Sequence, residues 1–286
     1  MHRSLALPLA LLAACTPGDD RDGRVTVVAS VYPLAFVAER VGGPAVEVID
    51  LTPPGSDAHD VELSLDDRTA IEGADVVAYL GPIGFQPQVE AAVLETEARV
   101  ADYSAGRPGI EDDPHVWLWP RFAEEAAEGI VDALGEADPA GRDGYQARYE
   151  RLFRETVRLE GELAGAIQRC TFTMAIVTHE AFGALLPEPY RQLGLSGPDP
   201  EGEPTVDRLR QAEAAVSSGQ AGAVFYEETD EGRRVGRAVA GDLGVRALPL
   251  WTLESRPASG DYFSRMRDNI RSLKEGLGCQ GPALLS

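Results

Sequence analysis

The chain alternates short β-branched runs with helical segments, pauses for one long stretch of helical periodicity, and then begins the same alternation again. In the first block the runs are Val25–Ser30 (VTVVAS), Val46–Leu51 (VEVIDL), Val76–Leu80 (VVAYL) and Val100–Tyr103, with helical spacing near Leu34–Val41, Leu65–Glu72 and Gln86–Leu94. In the second they are Thr173–Thr178 (TMAIVT), Ala223–Tyr226 (AVFY) and Val245–Leu250 (VRALPL), with helices near Val206–Ser217, Glu231–Leu243 and Tyr262–Leu277. Strands that alternate with helices predict mainly parallel sheets covered on both faces. Between the blocks, Tyr145, Tyr149, Leu152, Phe153, Val157, Leu159, Leu163 and Ile167 recur at helical spacing across Pro139–Gln168. As one helix that segment would span roughly 45 Å and serve as a spine. Breaks at Gly161 or Gly165 would instead give two ordinary helices, although glycine costs only about 1 kcal/mol in a helix interior.

Residues 1–14 read as a signal peptide: Arg3 is followed by the apolar run Leu5–Ala14, too short for the ~20 residues a bilayer span needs. Leu12-Ala13-Ala14-Cys15 resembles a bacterial lipobox, which makes Cys15 the expected lipidation site; an ordinary secretory signal with an unrelated cysteine is the alternative. Residues 15–23 are polar and turn-rich, as a tether would be. Export puts Cys170 and Cys279 in an oxidising compartment, where pairing is the default, so a structural disulfide is expected. With 47 acidic against 26 basic residues the net charge is −21, which excludes a general nucleic-acid binder.

The sequence has four histidines, and His2 falls in the signal segment. His59 lies in the turn-rich loop after the strand ending at Leu51, His115 precedes a helix starting near Pro120, and His179 follows TMAIVT directly. In open α/β sheets ligands bind beyond the carboxyl ends of strands, and neutral imidazole suits Zn²⁺, Cu²⁺ and Ni²⁺ better than Mn²⁺. Each histidine alone is an ordinary surface residue; together they point to a metal.

Longer motifs carry a family resemblance. Ser30-Val31-Tyr32-Pro33-Leu34, Pro54-Gly55-Ser56-Asp57-Ala58-His59-Asp60, Asp113-Pro114-His115-Val116-Trp117-Leu118, Thr178-His179-Glu180-Ala181-Phe182-Gly183, Glu203-Pro204-Thr205, Val224-Phe225-Tyr226-Glu227 and Gly260-Asp261-Tyr262-Phe263 run in order along the chain. They resemble the metal-specific substrate-binding proteins of bacterial ABC uptake transporters, in the zinc and manganese group. The resemblance implies two Rossmann-like α/β lobes, residues 24–137 and 169–286, joined by one long rigid helix at 138–168, with the metal in the interlobe cleft. It implies that His59, His115 and His179 are the metal ligands. Manganese members usually carry an acid at the third position, so His179 favours zinc.

Three positions depart from the family pattern. Trp251 stands where many members have a ligating Asp, and Ala58 where some zinc members have Glu. Trp119 replaces an Asp before Pro120 and is a poor helix N-cap. These tryptophans are either drift on a tolerant surface or a reshaping of the cleft mouth. Glu111-Asp112-Asp113 reads as a short solvated turn in place of a His-rich loop. For the fourth ligand the expected acid is Glu227, at the carboxyl end of its strand, with Glu228 facing the other way. Alternatively Glu227 hydrogen-bonds a ligating histidine and water completes the site.

The expected protein is a monomeric, extracytoplasmic, lipid-anchored receptor that captures Zn²⁺ and delivers it to an ABC permease. Another transition metal such as manganese is the first alternative. A zinc hydrolase with three histidines and an open position is the second, although no general base or nucleophile motif is evident. A surface adhesin is a third, and no sequence feature specifies it.

Overall fold

The computed structural model describes residues 23–107, 110, 113–196 and 202–281. The signal segment, Cys15, Glu111 and Asp112 lie outside the described residues.

The first lobe is built from β1 (Val25–Ala29), α1 (Tyr32–Gly42), β2 (Val46–Asp50), α2 (Leu65–Glu72), β3 (Val76–Tyr79), α3 (Pro87–Val93), β4 (Arg99–Asp102) and α4 (Phe122–Ala137). After α5 (Arg142–Ala166), the second lobe has β5 (Met174–Val177), β6 (Arg191–Gly194), α6 (Val206–Ser217), β7 (Ala223–Glu227), α7 (Asp230–Leu243), β8 (Arg246–Leu250) and α8 (Tyr262–Gly276). Each lobe holds a four-stranded sheet, ordered β2-β1-β3-β4 and β6-β5-β7-β8, and every pairing is parallel. The expected α/β architecture is therefore present, and both sheets have the same strand order. Central strands β3 and β7 are buried throughout, as continuous apolar runs between helical layers must be.

One strand went unread in the sequence. β6 has the sequence RQLG and lies at the edge of its sheet, with Arg191 exposed. A short edge strand carrying polar residues lacks the β-branched run that marks its neighbours.

α5 runs through Gly161 and Gly165 without a break for 25 residues, about 37 Å at the helical rise. It packs against α1 and α4 of the first lobe and α8 of the second. Tyr145, Leu152, Thr156, Leu159, Leu163 and Ala166 form its buried stripe, whereas Phe153 and Val157 face outward, 39% and 46% exposed. Polar contacts reinforce both ends of the spine. Arg148 donates from Nε to the Val41 carbonyl at 2.6 Å and from Nη2 to the Gly42 carbonyl at 2.7 Å. A cation thereby closes the carbonyl end of α1, where the helix dipole favours positive charge. Toward the other end, Arg267 of α8 donates to Glu162 at 2.7 Å.

The largest core cluster is continuous across both lobes, joining Val27 and Phe36 to Tyr145 and Leu159 of the spine and on to Phe225, Tyr262 and Leu273. Smaller clusters lie under α2 and α3 on one side and under α6 and α7 on the other. Cys170, ahead of β5, is disulfide-bonded to Cys279, just beyond α8. The bond ties the first strand of the second lobe to its final helix.

Candidate metal centre

His59 projects from the irregular segment between β2 and α2, His115 starts the short 3-10 turn Val116–Leu118, and His179 lies two residues beyond β5. Two elements from one lobe and one from the other thus deliver imidazoles to a common point. The His59–His115, His59–His179 and His115–His179 ring centroids are 5.2, 5.7 and 4.8 Å apart. His59 and His115 approach to 3.1 Å between their Nε2 atoms.

The fourth member is Glu254, which sequence reasoning missed. One nitrogen from each histidine and a Glu254 oxygen all lie within 4.8 Å of one another. Glu254 Oε1 is 3.5 Å from His115 Nε2 and 4.0 Å from His59 Nε2. Donor atoms of a tetrahedral zinc, each about 2.0–2.1 Å from the ion, stand roughly 3.3 Å apart. The cluster is therefore close to the size such an ion needs. Both ring nitrogens of His179 and Oε1 of Glu254 are buried without a hydrogen-bond partner among the described residues. Orphaned buried polar atoms are costly, and a cation between the two residues would satisfy one nitrogen of His179 and Oε1 of Glu254 at once.

Glu227 occupies a different place. It closes β7, and its Oε2 is 3.5 Å from Nδ1 of His179, while its Oε1 accepts a 2.8 Å hydrogen bond from Thr252 Oγ1. It stands behind His179 and outside the converging set. Glu228 turns away and pairs with Arg233. Trp251 lies under the Arg265 guanidinium, 4.3 Å from Cζ to the ring centroid, and Trp119 is 43% exposed.

Glu254 reaches the site because the chain turns sharply after β8. Leu253 has φ 59°, a left-handed conformation, yet it is buried. A leucine there costs about 1–2 kcal/mol in backbone strain, and neither Gly nor Asn marks the turn in sequence. Glu254 is then fixed by the opposite lobe, its Oε2 accepting from the Ala58 N–H at 3.2 Å. Leu253→Gly and Leu253→Ala both remove packing, but the glycine variant should be the more stable by about 1 kcal/mol. Chemical denaturation of the two proteins checks this reversal of the usual order.

Other groups hold the histidines. Gln86 donates from Nε2 to the carbonyls of Ser30 and Ala58, at 3.2 and 3.1 Å, so both ends of residue Ala58 are fastened next to His59. Phe85 packs edge-on against the His59 ring at 4.7 Å. Asp113, expected to be a solvated acid, instead sits 2.8 Å from His115 Nδ1 through Oδ1. Trp117 donates its indole N–H to the Thr252 carbonyl, and Tyr262 donates its hydroxyl to the Trp117 carbonyl. The Gly260-Asp261-Tyr262-Phe263 motif thereby has two structural uses: Asp261 forms the capping box of α8, and Tyr262 reaches across the lobes.

The imidazoles are electrostatically unequal. Burial alone would lower His115, but hydrogen bonds and charge from Asp113 and Glu254 outweigh it and raise its pKa to about 9. Desolvation, with the adjacent His115 charge, pushes His59 down to about 4. Burial raises the Glu254 carboxyl, with the His115 contact opposing it. His115 thus holds a proton more readily than His59, and the two rings face each other through Nε2.

Two parallel α/β lobes on a shared helical spine, with three imidazoles and a carboxylate converging between them, define a class of two-lobed protein with a candidate metal centre between the lobes. The chain belongs to the family described as ZnuA, zinc-uptake complex component A, periplasmic, which matches residues 27–276. It is 24% identical over 300 aligned positions to the zinc-binding lipoprotein AdcA of Streptococcus pneumoniae serotype 4, an alignment covering 96% of this chain and 60% of AdcA. The chain therefore spans about 60% of the length of that curated relative. A putative metal-binding protein of Treponema pallidum is 24% identical over 274 positions, covering 87% of this chain and 86% of its own length. Among solved structures, the laminin-binding protein Lmb of Streptococcus agalactiae, described as having adhesin and metal-transporting activity, superposes with a TM-score of 0.76 at 26% identity. It covers 88% of this chain and 99% of Lmb. A Zn(II)-bound AdcAII variant from Streptococcus pneumoniae has the same TM-score and identity, covering 90% of this chain and all of that one.

Proposed function

We propose that this chain captures Zn²⁺ outside the cytoplasm and passes it to an ABC permease, with His59, His115, His179 and Glu254 as ligands. The observation that carries the reading is the convergence of four donor atoms within 4.8 Å from two lobes. Three nitrogens and one oxygen suit zinc's tetrahedral preference, whereas manganese favours more oxygen donors. The receptor reading is supported over the hydrolase reading because Glu254 fills the position that a catalytic zinc leaves open to water. Metal analysis of protein purified without added metal, followed by competitive titration of zinc against manganese, tests it. Preference for manganese, or no tight binding of either ion, overturns it.

Residues 24–137 and 169–286 form the two lobes in this reading, and 138–168 the link; the receptor works as a monomer. Cys15 carries the lipid anchor, and no helix among the described residues is long and apolar enough to cross a membrane. Cys15→Ser should release the protein from membranes or leave it unprocessed, as fractionation and intact mass will show; retention with unchanged mass rejects the anchor.

Zinc must displace the proton that His115 holds up to a pKa of about 9. Affinity should therefore fall as pH drops below that value, by about tenfold per pH unit for one displaced proton. His59, neutral down to about 4, adds nothing to the slope near neutrality. Calorimetry in buffers of different ionisation enthalpy should find about one proton released per zinc at pH near 7, and no release there would contradict the assignment.

A further inference from the structure

Each of the two most buried imidazoles has a carboxylate at its Nδ1, one supplied by each lobe. In the first lobe the pair is His115 with Asp113 at 2.8 Å, and the other nitrogen of that ring, Nε2, faces the cluster. In the second lobe the carboxylate is Glu227, whose Oε2 is 3.5 Å from Nδ1 of His179. Glu227 is buried at 9% exposure, His179 at 1% and Thr252 at 7%, so water has little access to this contact. The Thr252 hydroxyl occupies Oε1 of Glu227 and leaves Oε2 for the imidazole. The Glu227 backbone is held independently, its N–H donating to Thr178 Oγ1 at 3.0 Å.

We infer that Glu227 is a positioning residue for zinc capture: it accepts the Nδ1–H of His179 and thereby presents Nε2 to the ion, with Thr252 locking the carboxylate in that orientation. This inference rests on His179 being a zinc ligand, as proposed above. An imidazole whose two nitrogens are both free can bind a metal through either one, and the partner of the second nitrogen decides which. A carboxylate partner also makes the ligating nitrogen more basic. Thr252 connects the arrangement to the other lobe, because its carbonyl accepts the Trp117 indole N–H at 2.6 Å, and Trp117 packs on the His115 ring. The positioning devices of the two buried histidines are thus joined without passing through the ion.

The test is heteronuclear NMR of the histidine ring nitrogens, metal-free and with one equivalent of zinc, together with zinc affinity from competitive titration. In the unaltered protein the metal-free His179 ring should already carry its proton on Nδ1, and zinc should shift Nε2. Glu227→Gln should move the Nδ1–H resonance of His179, leave the His115 resonances in place and weaken zinc binding by roughly 10–100-fold. Thr252→Val keeps the shape of the side chain while freeing Oε1, and should move the same resonance by less. The inference is overturned if zinc shifts Nδ1 rather than Nε2. It is equally overturned if Glu227→Gln, folded as judged by its thermal transition, leaves both resonance and affinity unchanged. Zinc that binds the unaltered protein without shifting either nitrogen of His179 would instead remove His179 from the ligand set, and both readings would fall.

Discussion

Glu254→Ala should weaken zinc binding on the order of 100- to 1,000-fold, a loss comparable with His115→Ala or His179→Ala. A structural zinc site is worth about 10–16 kcal/mol over four ligands, so one ligand accounts for roughly 2.5–4 kcal/mol before the remaining groups adjust. Two further penalties belong to Glu254 alone. Its Oε2 accepts the Ala58 N–H, so truncation orphans a donor in the segment that carries His59. It also supplies the only carboxylate in the converging set among the described residues, so its loss leaves the ion's charge balanced only from farther away. Competitive titration of Glu254→Ala beside Glu227→Ala ranks the two acids directly. If Glu227→Ala lost more affinity than Glu254→Ala, the fourth ligand would have to be reassigned.

Loss of the Cys170–Cys279 bond should be the largest single effect on stability. The bridge spans a sequence separation of 109 residues, and closing a loop of that length stabilises a fold by about 4–5 kcal/mol in the chain-entropy model. It pins α8 to the start of β5, and α8 places Tyr262 and Phe263 in the common core. Cys170→Ser with Cys279→Ser should lower the unfolding free energy by that order, read from denaturant midpoints under non-reducing conditions. Equal midpoints would show that packing alone holds the helix. Intact mass before and after reduction reports first whether the two thiols are paired.

The sequence made the sheets legible where burial on both faces imposed apolar β-branched runs, as at Val25–Ala29 and Ala223–Glu227. It concealed β6, whose edge position tolerates Arg191 and Gln192. The histidines were readable because a chain poor in them had placed His59 and His179 beyond strand ends, and the structure brings them together with His115. Glu254 was hidden for a physical reason. Its direction depends on the left-handed Leu253, and a branched side chain gives no hint of that conformation. The position where the family pattern has its Asp is Trp251, three residues before Glu254. Gln86 was missed because its role lies in hydrogen bonds made across the fold, at 3.1–3.2 Å, which local pattern does not encode; the Asp113 contact with His115, at 2.8 Å and only two residues away, is local.

The spine and the core that crosses it set the cost of large motions. A hinge that swung the lobes apart would have to pull Phe36 from Tyr262 and Phe263, ring pairs now 5.4–5.5 Å apart, and wet apolar surface at roughly 25 cal/mol for each Å² exposed. A local excursion of the segment around His59, which has no regular structure from Leu51 to Ser64, exposes far less. The two sheets should therefore separate only as part of global unfolding, whereas a local opening at His59 has to break the hydrogen bonds that Ala58 makes with Glu254 and Gln86.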